Sequence, residues 1–440
     1  NIEMFYQYQW EKTILPAPGS YFSTNDFAGD GGQYNNVQLN FASNPDMDLD
    51  SLITNLNVLR AQILNGTVSQ ADAAGAYLTG FPTKLTLREE DAENEPDDGG
   101  QYGLRLSWFL PELNDTEISF YHMNYHSRRP VFSGITADFS TEALVGDLLT
   151  TGVLGGDVGY LLNNEITEQN YTNLQAFSRV ELDYVEDIKL YALSFNTAIG
   201  TTSVAGEVTF RQDEPLQIDD VELLFAAMPQ QLANDQGRDE LDGVSQMDVF
   251  PGGSRANGFI LSDTLQAQMT LTHLWGPTLG ASQFTTLLEV GGIDIRDMPD
   301  PEVLRLNGPG TARSGGVSGN ENFPDKSGLN KALQDGVETN PFPSAFAWGY
   351  RFVGKLDYND VFAGINVSPK IVFSHDVNGI TPDPLFLFVE DRKSMSLGLS
   401  FDYQSRWSAD LNYNSFFGGV GTTNQMEDRD YVSFNIKYSI

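Results

Sequence analysis

Cysteine and histidine, which serve as metal ligands and as catalytic nucleophile or base, are scarce in this sequence of 440 residues. It contains no cysteine and four histidines, so a thiolate nucleophile and a cysteine-ligated metal centre are excluded. His122 and His126 share a face of a predicted strand, but no carboxylate pattern accompanies them. His126–Ser127 and Ser374–His375 are neighbours in sequence, and neighbours on a strand point to opposite faces, so neither pair forms a nucleophile–base contact. From the sequence we therefore expect that the protein is not an enzyme.

Two acidic clusters could hold a hard cation. Asp26 and Asp30 lie in a segment rich in aspartate and glycine, which fits a weak calcium site in a loop and fits an Asx-type turn as well. Seven carboxylates between Glu89 and Asp98 lack the spacing of an EF-hand, and we favour a solvated loop there. Calcium at Asp26 and Asp30 is thus the one cofactor that the sequence suggests.

A further group of charged residues occupies the polar positions of alternating segments. If these segments are strands of a barrel, the charged side chains line its lumen, where they select what passes. Opposite charges could instead cross-link a narrow lumen and make it rigid, and the sequence leaves both interpretations open. The lumen-lining candidates are Glu3, Arg105, Glu207, Arg211, Arg351, Lys355, Asp357, Asp402 and Asp410.

The segments that carry these charges alternate between apolar and polar residues. In residues 393–405, Met395, Leu397 and Leu399 share one parity, and serine, glycine, Asp402 and Gln404 fill the other. Such a strand has one apolar and one polar face, and the length of about ten residues suits a transmembrane β-strand. Twelve segments follow this pattern: 2–11, 101–110, 117–125, 188–199, 203–211, 264–275, 283–293, 346–358, 362–373, 393–405, 407–417 and 430–440.

The connections between these segments are alternately short and long. The long links are 12–100, 126–187, 212–263, 294–345, 374–392 and 418–429. Outer-membrane barrels have short periplasmic turns and long extracellular loops, so we expect every long link at the extracellular end. Apolar spacing predicts amphipathic helices within these links at Asp48–Asn65, Thr141–Leu149 and Asp220–Gln231. The segment Ala176–Tyr184 also alternates, and it is expected to be loop structure or a partial strand outside the wall.

The predicted fold is therefore all-β, a transmembrane antiparallel up-and-down β-barrel that spans residues 1–440, with short amphipathic helices in its extracellular loops. About twelve strands are visible in the sequence. Alternation that begins at once after Asn1 favours a chain that lacks N-terminal sequence, which would raise the count to 14–16. The expected location is the bacterial outer membrane, in contact with its lipid and lipopolysaccharide.

The charge balance limits the partners. There are 25 basic and 60 acidic residues, which give a net charge of -35. Nucleic acid is not an expected partner, because phosphate contacts require lysine or arginine.

Four stretches give the sequence a resemblance to a known family. They are Trp10–Gly32, Glu186–Leu224, Val367–Asn378 and Trp407–Phe417, the last followed by Asp-Arg-Asp-Tyr-Val-Ser from residue 428. Together they resemble the proteobacterial outer-membrane family catalogued as domain of unknown function 1302. The resemblance implies a relative of the long-chain fatty-acid transporter barrels, encoded near RND-type exporters and acyl-activating enzymes. It supplies no catalytic residues, since the family has no settled activity.

Three functions remain open at this point. The first is passage of a hydrophobic, fatty-acid-like or lipid-like compound through a partly obstructed lumen, passively or coupled to an RND-type exporter. The second is a porin for polar solutes. The third is a structural or docking barrel of an envelope complex. An apolar, obstructed lumen would favour the first, and an open lumen with sorted charges would favour the second.

Overall fold

The computed structural model describes residues 1–24, 29, 34–38, 49–69, 83–140, 158–170, 176–311 and 340–439. Within them, the helices are α1 (Leu49–Leu64), α2 (Val158–Asn163), α3 (Asp220–Ala227) and α4 (Pro229–Gln236). The strands are β1 (Ile2–Gln7), β2 (Tyr34–Gln38), β3 (Thr83–Asn94), β4 (Gln101–Leu110), β5 (Thr116–Tyr125), β6 (Val131–Ile135), β7 (Ala176–Asp183), β8 (Ile188–Ile199), β9 (Thr202–Gln217), β10 (Arg255–Ala256), β11 (Phe259–Thr278), β12 (Ala281–Ile295), β13 (Phe346–Phe362), β14 (Ile365–Asn378), β15 (Arg392–Tyr403), β16 (Trp407–Gly418) and β17 (Tyr431–Tyr438).

Twelve strands form one antiparallel sheet, which we call the wall. Their order is β1-β4-β5-β8-β9-β11-β12-β13-β14-β15-β16-β17, so each wall strand pairs with the next wall strand along the chain. This up-and-down order confirms the predicted fold class, and all twelve predicted segments are wall strands. The short connections lie at one end, and the long links leave from the other.

Some strand boundaries differ from the prediction. The turn expected at Asn359–Val361 is instead formed by Ala363 and Gly364, and Phe362 still belongs to β13. Both turn residues have positive φ angles, as Leu279 and Gly280 do between β11 and β12, and this geometry suits the twist of a two-residue hairpin. The strands β9 and β11 extend beyond their predicted segments at the opposite end, to Gln217 and from Phe259. At the end of the long links, β9 and β11 therefore extend beyond the segments in which apolar and polar residues alternate.

The outer face of the wall is apolar and exposed. Trp108, Leu193 and Leu397 have 55%, 56% and 44% of their surface accessible. Aromatic side chains cluster toward both ends of the strands. His122 stacks on Tyr191 with ring centroids 4.8 Å apart, and near the short turns the rings of Trp407 and Tyr438 are 4.6 Å apart. An apolar belt between two aromatic girdles is the pattern of a barrel surface in lipid.

At the end of the long links, the segment that follows β1 contacts the start of β17, the other edge strand of the wall. The edge strands are β1 and β17. The hydroxyl of Tyr21, which follows β1, donates to the carbonyl of Asp430 at 2.9 Å, and the rings of Phe22 and Tyr431 are 5.8 Å apart. Contacts also cross the mouth. Arg129, after β5, donates to the carbonyl of Pro384 in the β14–β15 loop at 2.9 Å, although β5 and β14 are far apart in the sheet order.

The long links build a second sheet and a small core of their own, which we call the cap. Five strands form this sheet in the order β10-β6-β7-β3-β2, and β3 and β7 are parallel. The segment Ala176–Tyr184, expected to be loop structure or a partial strand outside the wall, contains β7, so the second alternative is confirmed. The acidic segment from Glu89 onward was expected to be a solvated loop, and this is wrong for residues 89–94. They form the end of β3, where Glu93 and Asn94 pair with Leu182 and Asp183 of β7.

The helices of the cap pack around one apolar cluster. Leu56 of α1, Leu161 of α2 and Phe225 of α3 are buried together with Phe139 and Met228. The predicted helix over Asp48–Asn65 is α1. The one predicted over Asp220–Gln231 is two helices, α3 and α4, because Pro229 starts a new first turn. The third predicted helix, Thr141–Leu149, lies outside the described residues. In the part of the chain that the structure describes, no helix is long and apolar enough to cross a membrane.

Candidate functional site

The inner face of the wall is polar, and its strands β4, β5, β8, β9 and β11 line an open cavity of about 400 Å³. Period-two alternation places these side chains opposite the apolar belt. Two of the predicted lumen residues, Arg105 and Glu207, line this cavity, which we call the lower cavity. Its other polar lining includes Glu117, Ser119, Tyr121 and Gln268.

Arg105 is held by two carboxylates. Its Nη1 donates to Glu3 Oε1 at 3.1 Å, and its Nη2 donates to Glu117 and to Ser119 Oγ, the latter at 3.2 Å. The guanidinium also lies over the ring of Tyr121, 5.7 Å from the centroid. The charge of Arg105 is thus compensated by Glu3 and Glu117, which supports the cross-linking interpretation for this part of the lumen.

The remaining predicted lumen residues are distributed along the wall. Lys355 Nζ pairs with Asp357 Oδ1 at 2.8 Å, and Arg351 Nε donates to Ser374 Oγ at 3.2 Å. Asp410 accepts from Ser400 Oγ at 2.6 Å, and Asp402 accepts from the backbone of Ser405 in a turn at 3.3 Å. The contacts of Arg351 and Asp410 join adjacent strands, whereas the Lys355–Asp357 pair lies within β13 and the Asp402 contact lies within a turn. All of them are local, so the structure does not bring the nine predicted residues together in one site.

A second cavity of about 250 Å³, the mouth pocket, lies where the wall meets the cap. Arg211, the last of the predicted lumen residues, lines it with Arg128 and Arg129 from the segment after β5. Glu214 is the one carboxylate in the lining, and it accepts from Thr264 Oγ1 at 2.6 Å. Apolar side chains complete the pocket: Ile188, Pro215, Ile293, Pro384, Leu385 and Leu387.

The two cavities follow one another along the strands. Gln266 lines the mouth pocket and Gln268 lines the lower cavity, and both are on β11. Two residues along a strand correspond to about 7 Å. A solute that enters from the cap side would therefore meet the arginines first and the carboxylates next.

A buried ion pair joins the cap to the loop after β12. Arg305 Nη1 donates to Glu222 Oε1 at 2.8 Å, and the two side chains are only 5% and 2% exposed. The other carboxylate oxygen, Oε2, accepts from the backbone of Gln246 at 2.7 Å. Burial raises the pKa of Glu222, and the adjacent guanidinium of Arg305 opposes that rise. The pair anchors α3.

A second buried acid lies in the loop that crosses the mouth. The Oδ2 of Asp383 accepts from Asn307 at 2.8 Å, while its Oδ1 is buried with no hydrogen-bond partner among the described residues. Burial and the negative charge of Asp220 raise the pKa of Asp383 to about 7. Its backbone carbonyl accepts from Gln217 at 2.9 Å, so this residue ties the β14–β15 loop to the end of β9.

The predicted calcium residues cannot be placed, since Asp26 and Asp30 lie outside the described residues. Within the described ranges, no group of three or more histidine, aspartate or glutamate side chains is arranged to hold a metal ion. The pockets that the structure does define are lined by residues of the wall and the cap.

Sequence reasoning missed several residues of these two cavities. Glu117 has the same parity as Ser119 on β5, so alternation alone could have assigned it to the inner face. Arg128 and Arg129 follow the strand, where alternation gives no information. One feature of the sequence could have singled them out: they are the only two consecutive arginines in a strongly acidic sequence.

The comparisons with known proteins give one family match and distant structural matches. A family model described as "Protein of unknown function (DUF1302)" matches residues 1–440. A comparison with curated proteins found no match.

Among solved structures, a mutant of the ferric enterobactin receptor from Pseudomonas aeruginosa in complex with enterobactin is 12% identical, with a TM-score of 0.30. The match covers 71% of this chain and 32% of the receptor. Another mutant of that receptor is 11% identical, with a TM-score of 0.32, and the match covers 77% of this chain and 40% of the receptor. The chain thus spans well under half the length of these receptors, and TM-scores this low do not indicate a shared ligand.

Proposed function

Because the chain belongs to the DUF1302 family, whose model matches residues 1–440, we propose for it a function that the family description leaves open. The protein is an outer-membrane barrel through which a small solute passes, and its cap restricts entry. The observation that carries this proposal is the two-faced wall, with an exposed apolar outer belt and a polar inner face that contains cavities. Such a sheet is stable when lipid covers its apolar face and water its polar face, as in a transmembrane barrel.

The first candidate solute is a hydrophobic compound of fatty-acid or lipid type, as the family resemblance implies. Loops that cross the mouth and the apolar part of the mouth pocket support it, since an apolar solute needs an apolar entrance. The second candidate is a polar solute, and the hydrogen-bonding lining of the lower cavity favours it. Contact with lipopolysaccharide and coupling to an RND-type exporter are further parts of the proposal.

Membrane placement can be tested with one residue from each face of β15. Leu397 points outward, whereas Ser396 points to the inner face, opposite Asn414. We expect Leu397→Arg to lower the free energy of unfolding in lipid vesicles by about 2–3 kcal/mol, because an arginine near the bilayer midplane is poorly solvated. Ser396→Arg should cost less than about 1 kcal/mol. The measurement is urea unfolding in vesicles, followed by the mobility of the unheated protein in gels. Equal effects of the two substitutions would contradict the membrane placement.

Passage can be tested in proteoliposomes. Entry of sugars of increasing size is followed by vesicle swelling, and entry of a fluorescent long-chain acyl compound is followed by quenching inside the vesicle. Acyl entry without swelling would support the first candidate, and swelling alone would support the second. If neither occurs in vesicles that contain correctly inserted protein, the transport proposal is wrong and a docking role remains.

A further inference from the structure

The mouth pocket gathers positive charge in a protein that is otherwise strongly acidic. Three of the 25 basic residues of the sequence line this one cavity, with a single glutamate among them. A charge distribution of this kind needs an explanation, because the three guanidinium groups repel one another.

Neutral groups, not carboxylates, hold the three arginines. Arg129 Nη1 donates to the carbonyls of Pro384 and Leu385 at 2.9 and 3.2 Å. Arg128 Nη2 donates to Gln7 Oε1 at 3.2 Å, and Arg211 Nη1 donates to Gln266 Oε1 at 3.0 Å. Among the described residues, none of the three has a carboxylate oxygen within 4.0 Å. Arg105 in the lower cavity differs, because Glu3 and Glu117 compensate its charge.

These observations identify the kind of ligand that the pocket fits. Guanidinium groups with remaining N–H donors match the geometry of a carboxylate, which they can bind through two parallel hydrogen bonds. The rest of the lining is apolar: Ile188, Pro215 and Ile293 from the wall, and Pro384, Leu385 and Leu387 from the β14–β15 loop. We propose that the mouth pocket binds a small organic anion, namely a carboxylate that carries an apolar group, with the carboxylate on the arginines and the apolar group against the leucine and isoleucine side chains.

The size of the pocket and the direction of the charges agree with this assignment. A volume of about 250 Å³ is at the lower end for ligand sites, so it suits a short molecule or the charged end of a longer one. The carboxylates of the lower cavity would repel the anion if it moved deeper. The inference rests on the proposed function only in treating the pocket as the entry site, since binding itself requires no passage across a membrane.

The test is equilibrium binding by calorimetry to the whole protein in a neutral maltoside detergent at low ionic strength. Hexanoate is the probe, hexanol is its uncharged analogue, and inorganic phosphate is an anion without an apolar group. We expect hexanoate to bind at least tenfold more tightly than either of the other two. Hexanoate that binds no better than hexanol would overturn the charge assignment, and phosphate that binds as tightly as hexanoate would overturn the apolar part.

Variants locate the site. Arg211→Gln and Arg128→Gln should each weaken hexanoate binding by roughly tenfold, the effect of losing one charged hydrogen bond, and leave hexanol unchanged. Arg128 donates to Gln7 and, among the described residues, makes no hydrogen bond to the β14–β15 loop. Its variant therefore tests the charge without removing a hydrogen bond that anchors the loop. The matched control is Arg406→Gln, at an exposed turn at the opposite end of the wall. An equal loss in the control, or no loss in the two pocket variants, would overturn the location. Failure of passage in vesicles would leave the binding result intact.

Discussion

Replacing Arg305 by methionine is expected to destabilise the cap by about 3–5 kcal/mol, because the substitution leaves the carboxylate of Glu222 buried without its counterion. The effect should depend on pH. Burial already raises the pKa of Glu222, and loss of Arg305 removes the charge that opposes this rise. Glu222 can then bind a proton in mildly acidic solution, so the destabilisation should be largest above neutral pH and smaller near pH 5.

Hydrogen exchange measured by mass spectrometry on peptides from α3 and α4 would report this effect, because the cap can open without unfolding of the wall. The control is the double variant Glu222→Gln with Arg305→Met, which removes both charges and should recover most of the lost protection. Peptides from β15 and β16 should be unchanged in both variants. If the single variant exchanges like the unmodified protein at pH 8, the pair does not anchor the cap.

Replacing Asp383 by asparagine is expected to remove a pH-dependent weakening of the loop across the mouth. The pKa of Asp383 in the folded protein is about 7, above its ordinary value near 4. A raised pKa means that the folded protein binds the proton more tightly, so the stabilising contribution is complete below about pH 4 and is lost as the pH rises through 7. The difference of about three pKa units corresponds to an upper bound of about 4 kcal/mol.

Asparagine preserves the shape of the side chain and its acceptor for Asn307, and it cannot ionise. Exchange protection of peptides from Pro384 to Val389 should therefore fall between pH 5 and pH 8 in the unmodified protein and stay level in the variant. Asp391→Asn is a useful comparison, since this exposed carboxyl at the end of the same loop has a lowered pKa through its contact with Lys393. An Asp383→Asn variant with the same pH dependence as the unmodified protein would contradict the assignment.

The wall was predictable from the sequence because one of its faces is apolar and the other is polar. Residues of the two faces alternate along each strand, so the pattern can be read from segments such as 393–405. The parts of β9 and β11 nearest the long links were not predicted, because apolar and polar residues do not alternate there. Around Asp213 and Glu214, polar residues occupy both faces.

The cap sheet was not predictable in the same way. Its strands are short or acidic, and they form because distant segments provide partners. β3 pairs in parallel with β7, about ninety residues later in the chain. Helix α1 was predicted because its apolar spacing is local information. The acidic segment at 89–94 is the opposite case, since its composition indicates a loop and only the tertiary pairing makes it a strand.

The residues of the two cavities also differ in whether they could be predicted from the sequence alone. Arg105 and Glu207 follow from strand parity, and Glu117 could have been added by the same rule. The mouth pocket needed the fold itself, because its residues come from the segment after β5, the upper part of β9 and the β14–β15 loop. No pattern in the sequence relates Arg129 to Leu385.

The construction of the mouth pocket from two separate pieces has a consequence for the rate of the proposed solute passage. Wall residues supply one side of the pocket, and the β14–β15 loop supplies the other, so the complete pocket exists only while the loop lies across the mouth. By thermodynamic linkage, a ligand that contacts both pieces stabilises the closed arrangement to the same extent that closure increases its affinity. Tight binding and fast release therefore oppose each other. A variant that weakens the contact between Arg129 and the loop should bind the ligand less tightly and release it faster.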